Sequence, residues 1–346
     1  MTMHAPIIEN LVLNGRARDS RRRIVITILS MILIAASAVT LMVGQSFTSP
    51  TDVIRVLMGE EIPGVTFTVG QLRLPRALLS LLAGMSFGLG GVAFQIMLRN
   101  PLASPDIIGI SSGASAAAVF AIVVLKMSGP LVSVFAVIAG LGVALVVYLL
   151  ALRNGAAGTR LILVGIGVSA MLESFIAYVL SVAPAWSLQE AMRWLTGSVN
   201  GAKMAQLLPL SIALLLFGGL LVSRARDLEA LRLGDDAAAA LGVSVGRTRV
   251  LVIIAAVGMI AFATAVCGPI AFVAFLAGPI AARIIGNNGS LLIPAALIGA
   301  VLVLVGDYCG QFLLPGRYPV GVVTGALGAP YLIYLIVRVN RSGASL

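Results

Sequence analysis

Ionisable groups are so scarce in this chain that each one needs a reason to be there. Only two lysines occur, Lys126 and Lys203, and a methionine follows each. A phosphate-binding loop needs Gly-Lys followed by Ser or Thr, so the chain cannot hold ATP in that manner. Gly165-Ile-Gly-Val-Ser-Ala170 matches a dinucleotide fingerprint by letter. It lies inside an apolar run with no strand before it, so it reads as small residues for helix packing. The only histidine, His4, sits in the N-terminal tail, which removes His-based catalysis and metal clusters. Cys267 and Cys309 have no metal-ligand spacing and read as small buried hydrophobes, with nothing requiring a disulfide.

Three groups of charges remain. The first is Arg73 and Arg76, in Gln71-Leu-Arg-Leu-Pro-Arg76, at the mouth of an apolar run. Their plainest use is interfacial snorkelling. The second is Glu173, read as the only acidic residue well inside a membrane span. A carboxylate there is costly and faces a cavity or a partner. The third is Asp227-Leu-Glu-Ala-Leu-Arg-Leu-Gly-Asp-Asp-Ala-Ala-Ala-Ala-Leu-Gly242, a charged and helix-prone stretch in a chain whose other connections are short. Ala237 to Leu241 favours a compact helix, Gly234 and Gly242 bound it, and Asp235 and Asp236 suit its N-terminal turn. Its two readings are a docking element and an amphipathic helix lying on the membrane.

The elements that hold these groups follow from composition. The chain is 60% hydrophobic and 10% charged, with a mean hydropathy of +1.08. That places it among polytopic membrane proteins. Spans of about 20 apolar residues are expected at 24–44, 77–98, 107–125, 131–152, 161–182, 207–222, 250–266, 270–285, 291–305 and 320–337. The eighth and ninth are short and carry Pro279 and Pro294. Backbone groups in lipid must be satisfied within their segment, so the spans are helices and the fold is all-α. Ten spans put both termini on one side. Placing that side in the cytoplasm puts most of the 23 Lys and Arg residues inside. This topology also accounts for the net charge of +10, with anionic lipid and no nucleic acid as the partner. Arg21-Arg-Arg23 and Ala36-Ser-Ala38 imitate a signal peptide, but the apolar run continues to span length and reads as a retained first helix. Residues 1–20 show no periodicity and read as a mobile tail. The domain organisation expected is a cytoplasmic tail at 1–23, one transmembrane domain at 24–338 with a cytoplasmic segment at 224–249, and a tail at 339–346.

Several irregular segments are too specific for generic membrane packing. They are Gln71–Arg76, Arg99-Asn-Pro-Leu-Ala-Ser-Pro-Asp106, Gly109-Ile-Ser-Ser-Gly-Ala114, Trp194-Leu-Thr-Gly-Ser198, Gly234–Val245 and Pro319-Val-Gly-Val-Val-Thr-Gly-Ala-Leu-Gly-Ala-Pro330. Together, from about residue 45 to 338, they resemble the FecCD family of ABC importer permeases for iron siderophores and vitamin B12, with Gly234–Val245 most similar to the ferric-enterobactin type. The resemblance implies the ten-helix type II importer permease fold, in a bacterial inner or plasma membrane. It implies a transport subunit rather than an enzyme, with ATP and Mg held by two separate ATP-binding subunits. A periplasmic or lipid-anchored siderophore-binding protein would deliver ligand, and a second permease subunit would complete the pathway, a heterodimer being favoured over a homodimer. The cargo implied is a ferric siderophore, with the catecholate type first. A cobalamin or haem importer is the near alternative, and a proton-coupled secondary transporter using Glu173 is the alternative from another class.

The same resemblance assigns roles. Arg73 and Arg76 match outer arginines that receive acidic residues of the binding protein. A third outer arginine of some members falls where this chain has Gln311, and Arg317 lies nearby as a substitute. Leu228, Glu229, Leu231, Gly234, Asp235, Asp236, Ala239, Leu241 and Gly242 match the two-helix element that couples to the ATPase. Gly158 and Thr159, with Gly155, match a cytoplasmic gate, or else form a plain turn. Trp186 and Trp194 are either interfacial anchors or vestibule residues. Glu173 is a pathway candidate. Against an anionic ferric catecholate it must pair with a cation, be protonated, or signal a less anionic ligand.

Overall fold

The structure, a computed structural model, describes residues 5–151, 157–286 and 289–342. The described residues form helices, turns and one isolated bridge between Val43 and Phe47. Seven helical stretches are long and apolar enough to cross a membrane: Ser20–Met42, Thr66–Leu98, Pro130–Ala151, Arg160–Ser181, Met204–Ser223, Val245–Cys267 and Leu292–Leu313. Three shorter apolar helices, Ile110–Val123, Val273–Ile285 and Val320–Leu335, stand at the third, eighth and tenth expected positions.

The departures from expectation have local causes. Helix α1 runs Ala5–Met42, so residues 5–20 are helical rather than a structureless tail. Pro6 lies in its first turn, and no proline follows before Met42. The third apolar helix is shortened by Pro105, which starts a 3-10 turn at Pro105–Ile108 that Ser104 caps at the Asp106 amide. The eighth is short because residues 268–272 are non-helical, with Phe272 in the left-handed region at φ 64. The ninth is not short. Pro294 falls in the first turn of its helix, where a missing N–H costs little. That helix then continues through a π-helical turn, Cys309–Leu313.

The axis of the molecule is α3 (Leu74–Leu98), preceded by α2 (Pro50–Leu57) and a π-helical turn at Thr66–Arg73. Its apolar window is 78% buried, which makes it a core helix rather than a lipid-facing one. Around it pack α12 (Val245–Cys267), α13 (Val273–Ile285) and α14 (Leu292–Tyr308), and α1 packs mainly against α14. Lipid gives no hydrophobic drive between helices, so close backbone approach has to supply the contact. Here it does so at Gly84, Gly88 and Gly299. A Cβ at Gly84 would strike the backbone of Gly299 and Ala300, and one at Gly88 the backbone of Ala295.

A second lobe consists of α4 (Ile110–Val123), α5 (Pro130–Ala151), α6 (Ala157–Ser181) and α7 (Ala185–Leu195). It has its own core of Ala114, Val119, Ile122, Ala136 and Val179, and joins the first through α12. The apolar outer faces of α5 and α6 lack partners among the described residues, with Ile138 66% and Met171 74% exposed. The sixth span is α8 (Met204–Ala213), a π-helical turn at Leu214–Gly218, and α9 (Gly219–Ser223). Two short helices, α10 (Ala225–Leu231) and α11 (Asp235–Ala240), follow it, and α15 (Val320–Ser342) closes the chain.

Candidate functional site

Two polar centres stand at opposite ends of α3. The outer centre, on the side expected to face away from the cytoplasm, lies where α1 terminates. There the guanidinium of Arg73 donates to the carbonyls of Leu41 at 2.9 Å, Met42 at 3.0 Å and Ser46 at 2.7 Å. It also donates to the hydroxyls of Thr48 and Ser46, each at 3.2 Å. Arg73 thereby fastens the α1–α2 connection to the π-helical turn. Arg76 sits one turn further along. Its Nε donates to Asp307 Oδ2 at 2.6 Å and its Nη2 to Asp307 Oδ1 at 2.7 Å. Its Nη1 reaches Asn200 Oδ1 at 3.4 Å. The two side chains are only 19% and 8% exposed.

Asp307 is the residue that the sequence reading missed. It lies in the last turn of α14, inside the ninth span, so Glu173 is not the only acid within a span. Ending that span at 305 left Asp307 outside. The available signal was an aspartate embedded in an otherwise apolar run, since such an acid needs a cation.

Arg73, Arg76 and Asp307 line a cavity of about 410 Å³ together with Arg317, Gln45, Asn200 and Gln311. The structure thus brings the three predicted arginines to one place. Arg317 is exposed and makes no ion pair among the described residues. The Gln311 amide donates at 3.5 Å to the Tyr318 carbonyl and borders the same space.

The inner centre is built on α10 and α11. Leu228 and Leu231 are 0% and 1% exposed, so they anchor α10 to the chain's own core and present nothing to a partner. Within the two-helix element that the resemblance marks, they form the buried side. The physical reason is amphipathicity: a short helix on a bundle buries its leucines first. Glu229 pairs with Arg232 at 3.0 Å. Gly234 at φ 109 and Gly242 at φ 84 bound α11, as the sequence suggested, because both positions need the left-handed backbone that glycine tolerates. Asp235 accepts from Arg249 Nη2 at 2.9 Å on both oxygens and from Arg99 at 3.4 Å. It therefore links α11 to the ends of α12 and α3. Asp236 and Ala239 are exposed, Leu241 is 66% exposed, and Leu233, unmarked by sequence reading, is 68% exposed.

The other expected residues belong to neither centre. Glu173 is exposed on α6 and has no cation within ion-pair distance among the described residues, so a pairing inside the chain is not found. Gly158 and Thr159 fall in the first turn of α6 rather than in a loop, while Gly155 lies outside the described residues. Trp186 is 59% exposed, whereas Trp194 packs against the core of the second lobe. Cys267 and Cys309 are both free thiols.

Comparison with known proteins adds to this geometry. The model of the FecCD transport family matches residues 31–338. The ferric enterobactin transport system permease protein FepG of Escherichia coli (strain K12) is 41% identical over 326 residues, covering 92% of this chain and 98% of the relative. The permease protein FepD of the same system and organism is 32% identical, covering 93% and 98%. Among solved structures, an inward-facing conformation of a metal-chelate type ABC transporter superposes with a TM-score of 0.81 at 27% identity, over 90% of this chain and 98% of the other.

Proposed function

The chain belongs to the FecCD transport family, and from that premise we propose how its two polar centres serve transport. The protein is a permease subunit of a bacterial iron-siderophore ABC importer, a multi-pass membrane component. The cargo proposed is a ferric siderophore of catecholate type, in keeping with the similarity to FepG. The assembly proposed contains a second, different permease subunit, two ATP-binding subunits that hold ATP and Mg, and a periplasmic or lipid-anchored binding protein. Both termini are proposed to lie in the cytoplasm, which the arginine bias supports.

The observation that carries this reading is the inner centre. A chain lacking a phosphate loop nevertheless presents a helix pair whose exposed residues, with those at its turns, include Arg226, Arg232, Leu233, Asp236, Ala239 and Leu241. That rim of apolar, basic and acidic side chains suits a groove on a separate ATPase. Asp235 would pass movement of α11 to α3 and α12 through Arg99 and Arg249. Gly158 and Thr159 are proposed to narrow the inner end of the pathway, and Glu173 to face the pathway or the second subunit. Arg73, Arg76 and Arg317 are proposed to meet acidic residues of the binding protein, and of these three Arg317 is exposed and makes no ion pair among the described residues. Alternating access then needs no tight ligand site in this chain, because the binding protein supplies affinity.

The deciding experiment is uptake into proteoliposomes that contain this chain, its candidate partner permease and the ATPase, with ATP inside and no proton gradient. Binding protein is supplied outside with a ferric catecholate, a ferric hydroxamate, cobalamin or haem. ATP-dependent uptake of the catecholate is expected. Uptake that follows an imposed proton gradient and ignores ATP would overturn the reading.

A further inference from the structure

Among the described residues, Arg22 is the one arginine with a buried nitrogen that has no partner: its Nε neither meets solvent nor makes a hydrogen bond. A buried donor without an acceptor costs free energy, so such a group calls for one. The side chain is half-buried because it lies along the connection between α13 and α14. A Cβ on Gly289, which stands at φ 93, would meet Cδ and Nη1 of Arg22 at 3.5 Å and Nε at 3.8 Å. Glycine keeps the backbone bare there and lets the arginine lie against it. Helix α14 begins three residues further on, at Leu292, so the positive end of its dipole stands near.

Arg22 belongs to a cluster. Arg16, Arg18, Arg21, Arg22 and Arg23 fall on one unbroken helix, with Asp19 as the only acid among them. Arg21 and Arg23 are exposed, and neither makes an ion pair among the described residues. From the cluster the same helix runs on as a span to Met42. Above Arg21 its exposed residues include Ile24, Ile28, Met31 and Ile32, at 56%, 50%, 59% and 46%. Spacings of three and four place them in one row. Snorkelling accounts for Arg21 and Arg23, whose side chains are exposed. It does not account for a guanidinium with a buried and unpaired Nε. A cationic group at the foot of an exposed apolar row is the complement of an anionic phospholipid.

We infer that Arg22, with Arg21 and the bare backbone at Gly289, forms a site for the phosphate headgroup of an anionic phospholipid, whose acyl chain runs along Ile24, Ile28 and Met31 of α1. The unpaired Nε is relieved when the guanidinium turns its Nε–Nη2 edge to the phosphate, which takes that edge through two oxygens. Which leaflet supplies the lipid follows from the proposed topology, which puts this end of α1 in the cytoplasm. The site itself does not depend on that topology.

Lipid retention by the purified full chain in a neutral detergent tests the site. Native mass spectrometry follows phosphatidylglycerol and, in parallel, phosphatidylcholine. The parent should retain phosphatidylglycerol at least fivefold more than phosphatidylcholine. Arg22→Gln should lower that retention at least fivefold. Arg247→Gln, which removes an exposed arginine in the first turn of α12, should lower it less than twofold. Equal retention of the two lipids, or equal losses in the two variants, overturns the inference, since diffuse charge would then suffice.

Thermal unfolding of the parent supplies an arm that needs no variant. Phosphatidylglycerol should raise Tm by about 3 °C or more, and a fivefold increase in sodium chloride should remove most of that rise. Inorganic phosphate at the same concentration should leave Tm unchanged. A rise as large with phosphate alone assigns a free-anion site and overturns the lipid. A rise with the lipid that ignores salt overturns the role of the arginines.

Discussion

A glutamate on an unpartnered helical face gives the sharpest separation of energy sources. Glu173 has no neighbouring cation among the described residues, so neutralising it breaks no internal pair. Glu173→Gln keeps shape and hydrogen-bonding capacity and removes only the charge. Uptake by the Gln variant in ATP-loaded proteoliposomes should remain above half of the parent's rate. It should rise for an anionic cargo, because a carboxylate in a low-dielectric pathway repels it. Loss of transport in a well-folded Gln variant, with gradient dependence in the parent, would point to proton coupling instead. At the inner centre, Ala239→Arg places bulk and charge on the exposed face of α11. It should abolish co-purification of the ATPase while membrane insertion, read by protease protection, stays normal. Leu228→Ala is a different case, since Leu228 is fully buried. The cavity left behind should cost about 2–5 kcal/mol of stability, measurable as a lower Tm, with loss of ATPase binding only as a consequence. The resemblance marked Leu228 and Ala239 alike as parts of the coupling element. They differ because the 225–231 helix turns its leucines inward, an orientation that depends on where the bundle lies.

At the scale of elements, the glycine crossing is the contact with least tolerance. Gly88→Leu puts side-chain atoms where α14 runs its backbone at Ala295, so α3 and α14 cannot close. Folded yield by size-exclusion chromatography should fall sharply, whereas Gly142→Leu on α5, where a Cβ meets nothing within 4 Å, should be tolerated. The existence of the spans was legible in hydropathy, since about 20 apolar residues in a row have few other uses. The glycine-bounded helix at 235–240 was legible too, because turn chemistry is local. The ends of spans were not. A helix can continue through a π-turn without any compositional break, as α14 does into Cys309–Leu313, and that continuation is what carried Asp307 out of sight. The pairing of Arg76 with Asp307 was equally hidden, since local patterns say nothing about partners 231 positions apart.

At the scale of the whole molecule, α3 joins the two polar centres. Arg73 and Arg76 hold its outer end and Arg99 meets Asp235 at its inner end. With its π-helical lead-in, the stretch Thr66–Leu98 has 33 residues. At about 1.5 Å per residue it is roughly 50 Å long, well beyond the bilayer's hydrocarbon core of about 30 Å. A rod of that length reaches water on both sides. Asp235→Asn should therefore weaken communication rather than assembly. ATPase should still co-purify, while stimulation of ATP hydrolysis by loaded binding protein falls severalfold. Unchanged stimulation would place the transmission elsewhere.

The tie between Arg76 and Asp307 also imposes an order on biogenesis. Arg76 leaves the ribosome 231 residues before its counter-ion. At about 5–20 residues per second that delay is roughly 10 to 50 seconds, during which a guanidinium and the open groove at Gly84 and Gly88 have no intramolecular partner. The nascent α3 must spend that interval in the shelter of the insertion machinery or with the guanidinium held out at the water interface. Closure of the first lobe is thus a late event, fixed by the emergence of the ninth helix. A chain stopped at residue 290 should remain a substrate for membrane quality-control proteases, whereas one stopped after residue 318 should begin to escape them.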